Sequence, residues 1–109
     1  MTVIDIVRRH DYVEVVSDGH ANAPRNKDNR DLVCCAISTL MCAAANSLSR
    51  LDGPRVMYHT KPGNGFAKLV VHGADMAPDE VRPRIQMLID GLEVLGLQYP
   101  QCVRMTIDN

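Results

Sequence analysis

Tryptophan is absent from this 109-residue chain, phenylalanine occurs once and tyrosine three times. The formal net charge is -1, so the chain has neither the basic field nor the stacking rings that nucleic-acid binding needs, and direct contact with RNA or DNA is not expected. No apolar run approaches the roughly 20 residues that span a bilayer, and Met1 to His10 lacks the long apolar core of a secretory signal. A cytoplasmic protein without a membrane partner is the expectation. There is no Cys-x-x-Cys pair, which removes the ligand spacing of structural zinc sites. Of the four cysteines, Cys34 and Cys35 are adjacent, and with no secretion signal before them all four are read as thiols.

What remains is ordinary for a folded protein: 46% apolar and 23% charged residues. A chain of this length supports one hydrophobic core, so residues 1–109 are expected to form a single domain. Thr2 to Val7 and Tyr12 to Val16 are β-branched, loosely alternating runs on either side of a polar turn, the pattern of a hairpin. Ser17, Asp18 and Gly19 end the second run and leave His20 at its tip. Ala21 to Arg30 is polar and reads as an exposed, mobile loop that could act as a lid. Val33, Ile37, Leu40, Met41, Ala44, Leu48 and Leu51 then recur at helical spacing, with Asp31 placed to cap the helix and Asp52-Gly53-Pro54 to close it.

Arg55 to Thr60 and Phe66 to Val71 predict a second hairpin around Lys61-Pro62-Gly63-Asn64-Gly65. Val81, Ile85, Leu88, Ile89, Leu92 and Leu95 predict a second helix, regular from about Pro83 because proline cannot donate to the carbonyl four residues back. Cys102 to Ile107 alternates as a last strand. The order ββαββαβ implies the α+β class, a mostly antiparallel sheet with two helices covering a face.

The chemistry concentrates on His20 and Cys34. A thiol in the first turn of a helix meets the positive end of the helix dipole, which favours the thiolate. Unoccupied first-turn amides beside it would stabilise an oxyanion. An imidazole that titrates near neutral pH is suited to take the thiol proton and pass it to a leaving amine. Gly19 leaves room for close approach at the same place. The competing reading is plain: Cys34 as a small residue beside the core and His20 as a solvated loop residue. Asp31 serves first as a cap, with orientation of an imidazole as a further role. Ser38, one turn below Cys34, either bonds near the site or back to its own helix. Cys42, Cys102 and the methionines at 41, 57, 87 and 105 are assigned to packing. His10, His59 and His72 are read as solvated or satisfied histidines.

The segments Asp18-Gly19-His20-Ala21 and Asp31-Leu32-Val33-Cys34-Cys35-Ala36-Ile37-Ser38 resemble the paired motifs of the ribosomal-processing cysteine proteases, the Prp family. That resemblance implies a catalytic dyad of His20 and Cys34, with Gly19, Asp31 and Ser38 at supporting motif positions. It also implies a homodimer that needs no metal or organic cofactor. The implied reaction removes the N-terminal extension of bacterial large-subunit ribosomal protein twenty-seven, so the implied partner is that ribosomal-protein precursor. The chain departs from the family pattern at Cys35, where alanine is usual. It departs again at Lys27-Asp28-Asn29-Arg30, in a longer loop where a glycine is common. Cys35 stands about 100° around the helix from Cys34 and cannot share its face. The altered loop keeps open a related peptidase acting on a mobile-element or capsid precursor, and a non-catalytic peptide-binding module is the reading from another class.

Overall fold

The computed structural model describes residues 1–21 and 31–109. Along the chain these form β1 (Thr2–Arg8), β2 (Tyr12–Asp18), α1 (Leu32–Leu48), β3 (Arg55–Lys61), β4 (Phe66–His72), α2 (Pro78–Gln98) and β5 (Val103–Asp108). The expected ββαββαβ order is present, with the first four strands running one or two residues further than the alternation indicated and the last shifted by one residue. The proposed lid falls on 21–30, of which 22–30 lie outside the described residues. Ala21 is not the exposed residue expected there: it is buried among the core side chains.

The strands form one sheet in the order β3-β4-β2-β1-β5. Three of the pairings are antiparallel, β1 with β2, β2 with β4 and β3 with β4, while β5 runs parallel to β1. Alternation along the strands sends Ile4, Ile6, Val13, Val15, Leu69, Val71 and Val103 into the core, as a one-sided sheet requires. Against them pack Ile37, Met41 and Leu48 of α1 and Ile85, Leu88, Ile89 and Leu92 of α2. The other face carries polar pairs such as Lys68 and Glu14, 3.0 Å apart on neighbouring strands.

Helix α1 begins where a side chain substitutes for the missing turn of hydrogen bonds. The Oδ1 atom of Asp31 accepts from the amides of Val33 and Cys34, both at 3.1 Å. The helix stops at Leu48, short of the periodic Leu51, because Ser49 caps it and its hydroxyl bonds the Ala45 carbonyl at 2.6 Å. Leu51 still packs against the core from the following turn.

Helix α2 corrects the sequence expectation more substantially. It starts at Pro78, in the favourable first position, and runs through Pro83. Pro83 removes one donor, but it lies on the exposed side of the helix, where water can satisfy the carbonyl of Asp79. Val81 and Ile85, 1% and 2% exposed, hold the turn on either side of it against the sheet. Burial of that stripe outweighs the lost bond. Two methionines assigned to packing are also corrected: Met57 is 57% exposed on the open face of β3 and Met87 is 73% exposed on α2. Methionine fills gaps readily but carries no periodic signal of its own, so its direction follows from the element's orientation.

Two stability measurements follow. Asp31→Ala is expected to lower the unfolding free energy by about 1–2 kcal/mol through loss of the cap, and Asp31→Asn by less, because it keeps an acceptor oxygen. Pro83→Ala restores an amide donor inside α2 and is expected to raise stability by roughly 1 kcal/mol or more. Urea unfolding of the three variants beside the parent chain checks both.

Candidate active site

The site forms where β2 ends and α1 begins. Gly19 follows the last residue of β2 with φ +95°, in the left-handed region that glycine occupies without strain. A Cβ there would stand 2.5 Å from the Met1 carbonyl oxygen, so the position has no room for a side chain. The Gly19 amide donates to the Gly65 carbonyl at 3.0 Å, and the Gly19 carbonyl accepts from the Thr2 hydroxyl at 2.9 Å. The turn is thus held from both sides. Gly65 is a second left-handed residue, φ +64°, and a Cβ on it would approach His20 Nδ1 to 3.1 Å. The β3–β4 connection therefore presses against the imidazole from one side.

His20 emerges from this turn exposed, with Nε2 3.4 Å from the Gly63 carbonyl oxygen. The next residue reaches the helix: the Ala21 amide donates to Cys34 Sγ at 3.2 Å. Cys34 sits half-buried in the first turn of α1. His20 and Cys34 line the same cavity of about 350 Å³, together with Gly19 and Ser38. The pair singled out from sequence is thus brought to one place, by a backbone bond that no sequence pattern announced.

Asp31 is buried beneath them and caps α1. Its capping has a consequence that runs against the sequence expectation of unoccupied first-turn amides beside Cys34. The Asp31 carboxylate takes the amides of Val33 and Cys34, and the Asp31 carbonyl takes that of Cys35 at 3.1 Å. A capping side chain satisfies the same donors that an oxyanion would use.

Ser38 lines the cavity, and among the described residues no hydrogen bond runs from its hydroxyl back to the helix; the neighbouring Thr39 does bond back, to the Cys35 carbonyl at 2.8 Å. Cys35 is exposed and does not line the cavity. None of the four cysteines is in a disulfide among the described residues.

The sequence reading missed the far wall. Cys42, assigned to packing, is exposed and lines the cavity, and its thiol donates to the Tyr58 phenol oxygen at 3.5 Å. Burial, and then the hydrogen bond with Cys42 and the negative charge that its thiolate form carries, push the Tyr58 phenol above its usual pKa, so it stays neutral across the physiological range. The available signal was helical spacing: Cys34, Ser38 and Cys42 recur every four residues and form one stripe on α1. Cys102, by contrast, is buried as assigned. Among the described residues no group of three His, Cys, Asp or Glu side chains is placed to hold a metal ion, and no helix is long and apolar enough to cross a membrane.

Chains of known structure share this arrangement of strands and helices. The essential ribosomal processing protease Prp from S. aureus, solved with a covalently linked product peptide, superposes with a TM-score of 0.77 at 22% identity, covering 99% of this chain and 100% of that one. The same protease with a substrate peptide gives 0.74 at 21% identity over 99% and 100% of the two chains. SMU.848 from Streptococcus mutans gives 0.74 at 23% identity over 99% and 94%. At such identities the likeness is one of fold. No curated protein sequence matches the chain. The model of the family described as cysteine protease Prp, however, matches residues 1–104, and the chain therefore belongs to that family.

Proposed function

We propose that the protein is a cysteine endopeptidase in which Cys34 is the nucleophile and His20 the general base and acid, acting on the N-terminal extension of bacterial large-subunit ribosomal protein twenty-seven. The observation that carries the dyad is the Ala21 amide bonded to Cys34 Sγ at 3.2 Å, directly after His20, with His20 and Cys34 lining one cavity. An amide donor and the positive end of α1 both favour a thiolate at Cys34. The imidazole would take the thiol proton, the thiolate would attack the scissile carbonyl, and His20 would return the proton to the departing amine. Water would then hydrolyse the thioester. Gly19 supports the site by its left-handed turn, Asp31 by anchoring the helix start, and Ser38 as a hydroxyl on the cavity wall.

The substrate assignment is supported by family membership and by the fold shared with a ribosomal processing protease bound to its peptides. On the same ground the protein is proposed to be a single-domain cytoplasmic homodimer that works without a cofactor and without direct contact with nucleic acid or membrane. Since the amides of Val33, Cys34 and Cys35 are committed to Asp31, the oxyanion must be met by other donors or by release of the cap when substrate binds.

Incubation with a peptide spanning the precursor's extension is expected to yield one cut. Cys34→Ser and His20→Ala should lower the rate by roughly three orders of magnitude or more, while Cys35→Ala keeps most of it. Normal cleavage by Cys34→Ser would overturn the dyad. A mobile-element or capsid peptide cut in preference to the ribosomal one would overturn only the substrate, and peptide binding without any cut would favour a binding module. Gly65→Ala provides a geometric check: its Cβ would meet the Gly19 backbone at 2.9 Å and His20 Nδ1 at 3.1 Å, so the turn that carries His20 must shift and kcat/KM should fall several-fold.

A further inference from the structure

At the opposite end of β1 lies a second cleft that the proposed peptidase reaction does not use. Its volume is about 750 Å³, within the 300–1,000 Å³ typical of small-molecule sites. The floor is apolar, built from Val13 of β2 and Val81 and Ile85 of α2. The rim is basic, with Arg8, Arg9, His10 and Arg82, and no Asp or Glu side chain lines it.

The pairing of those cations matters more than their number. Arg9 is matched by Asp108 at 3.2 Å, and His10 stands 3.9 Å from Asp75. Arg8 is held differently: its guanidinium donates to the side-chain carbonyls of Asn109 at 2.7 Å and Gln86 at 3.0 Å. Two neutral side-chain amides fix its direction, and no Asp or Glu side chain pairs with it among the described residues. Arg82 makes no side-chain hydrogen bond or ion pair among the described residues. Two guanidiniums with no Asp or Glu partner therefore border an apolar hollow, and a planar guanidinium is suited to a carboxylate or phosphate head.

We propose that this cleft binds a small amphipathic anion, a carboxylate or phosphate joined to an apolar body, with the head on Arg8 and Arg82 and the body against the exposed Pro83 ring, above the buried Val13, Val81 and Ile85. Charge complementarity selects an anion, and the floor selects a ligand that is not merely an ion. The site is separate from the candidate active site. Thr2 at one end of β1 lines the His20–Cys34 cavity and Arg8 at the other end lines this cleft, about 20 Å apart at ~3.3 Å per strand residue.

Amide chemical shifts of the full-length protein, titrated with octanoate and with octyl phosphate below their micelle concentrations, test this. Shifts should centre on Val13, Val81 and Ile85 and leave Gly19 and Cys34 unmoved. Arg82→Gln should weaken binding roughly tenfold; with no partner to lose, this variant keeps the fold. Arg8→Gln should weaken it comparably. Of the two ligands, the one bound more tightly identifies the head. Octanol binding as well as octanoate, or inorganic phosphate binding as well as octyl phosphate, would overturn the proposal. So would unchanged affinity in Arg82→Gln, shifts centred on Cys34, or no binding by either ligand. None of these results depends on peptidase activity.

Discussion

A left-handed glycine at the end of β2 governs the geometry of the site. A strand continued beyond Asp18 would carry His20 along the sheet and away from α1. Gly19 turns the chain instead, because only a residue without a Cβ fits beside the Met1 carbonyl at φ +95°. The Ala21 amide then meets the Cys34 sulfur, and the imidazole is left beside the β3–β4 connection. Two glycines from separate hairpins share the work, since Gly19 donates to the Gly65 carbonyl and Gly65 borders His20.

The helix side of the junction has its own constraint. Asp31 must satisfy the first turn of α1 if the helix is to begin with Cys34 half-buried and oriented toward the cavity. That same carboxylate removes the donors that a developing oxyanion would otherwise find. Stability of the free site and stabilisation of a reacting carbonyl thus compete for one set of amides, and a substrate would have to bring other donors into play or displace the cap. The cavity wall opposite is neutral, with Tyr58 held protonated by burial and by Cys42, so Cys34 meets no anionic phenolate across the cavity.

The one-sided sheet explains how clefts come to lie at both ends of one strand. Helices α1 and α2 cover one face, and their ends leave hollows at both ends of the strand that pairs with β2 and β5. One hollow gathers a thiol and an imidazole, the other two guanidiniums without an Asp or Glu partner. Each is defined by charge and polarity at the rim of a shared core, as expected when one hydrophobic centre must serve the whole molecule.

The sequence by itself determined the elements, their order and the motif pair. Alternation marked the strands of both hairpins, period-3.6 spacing marked α1 and α2, and Asp31 was recognisable as a cap because a short acidic side chain before an apolar helix has few other uses. It did not determine that α2 would run through Pro83, because the burial of Val81 and Ile85 that offsets the lost hydrogen bond exists only once the helix lies on the sheet. Nor did it determine that Met57 and Met87 would face outward, that Cys42 and Tyr58 would wall the cavity, or that the first-turn amides would be occupied. Those outcomes depend on which residues distant in the chain become neighbours, and local propensity carries no information about that.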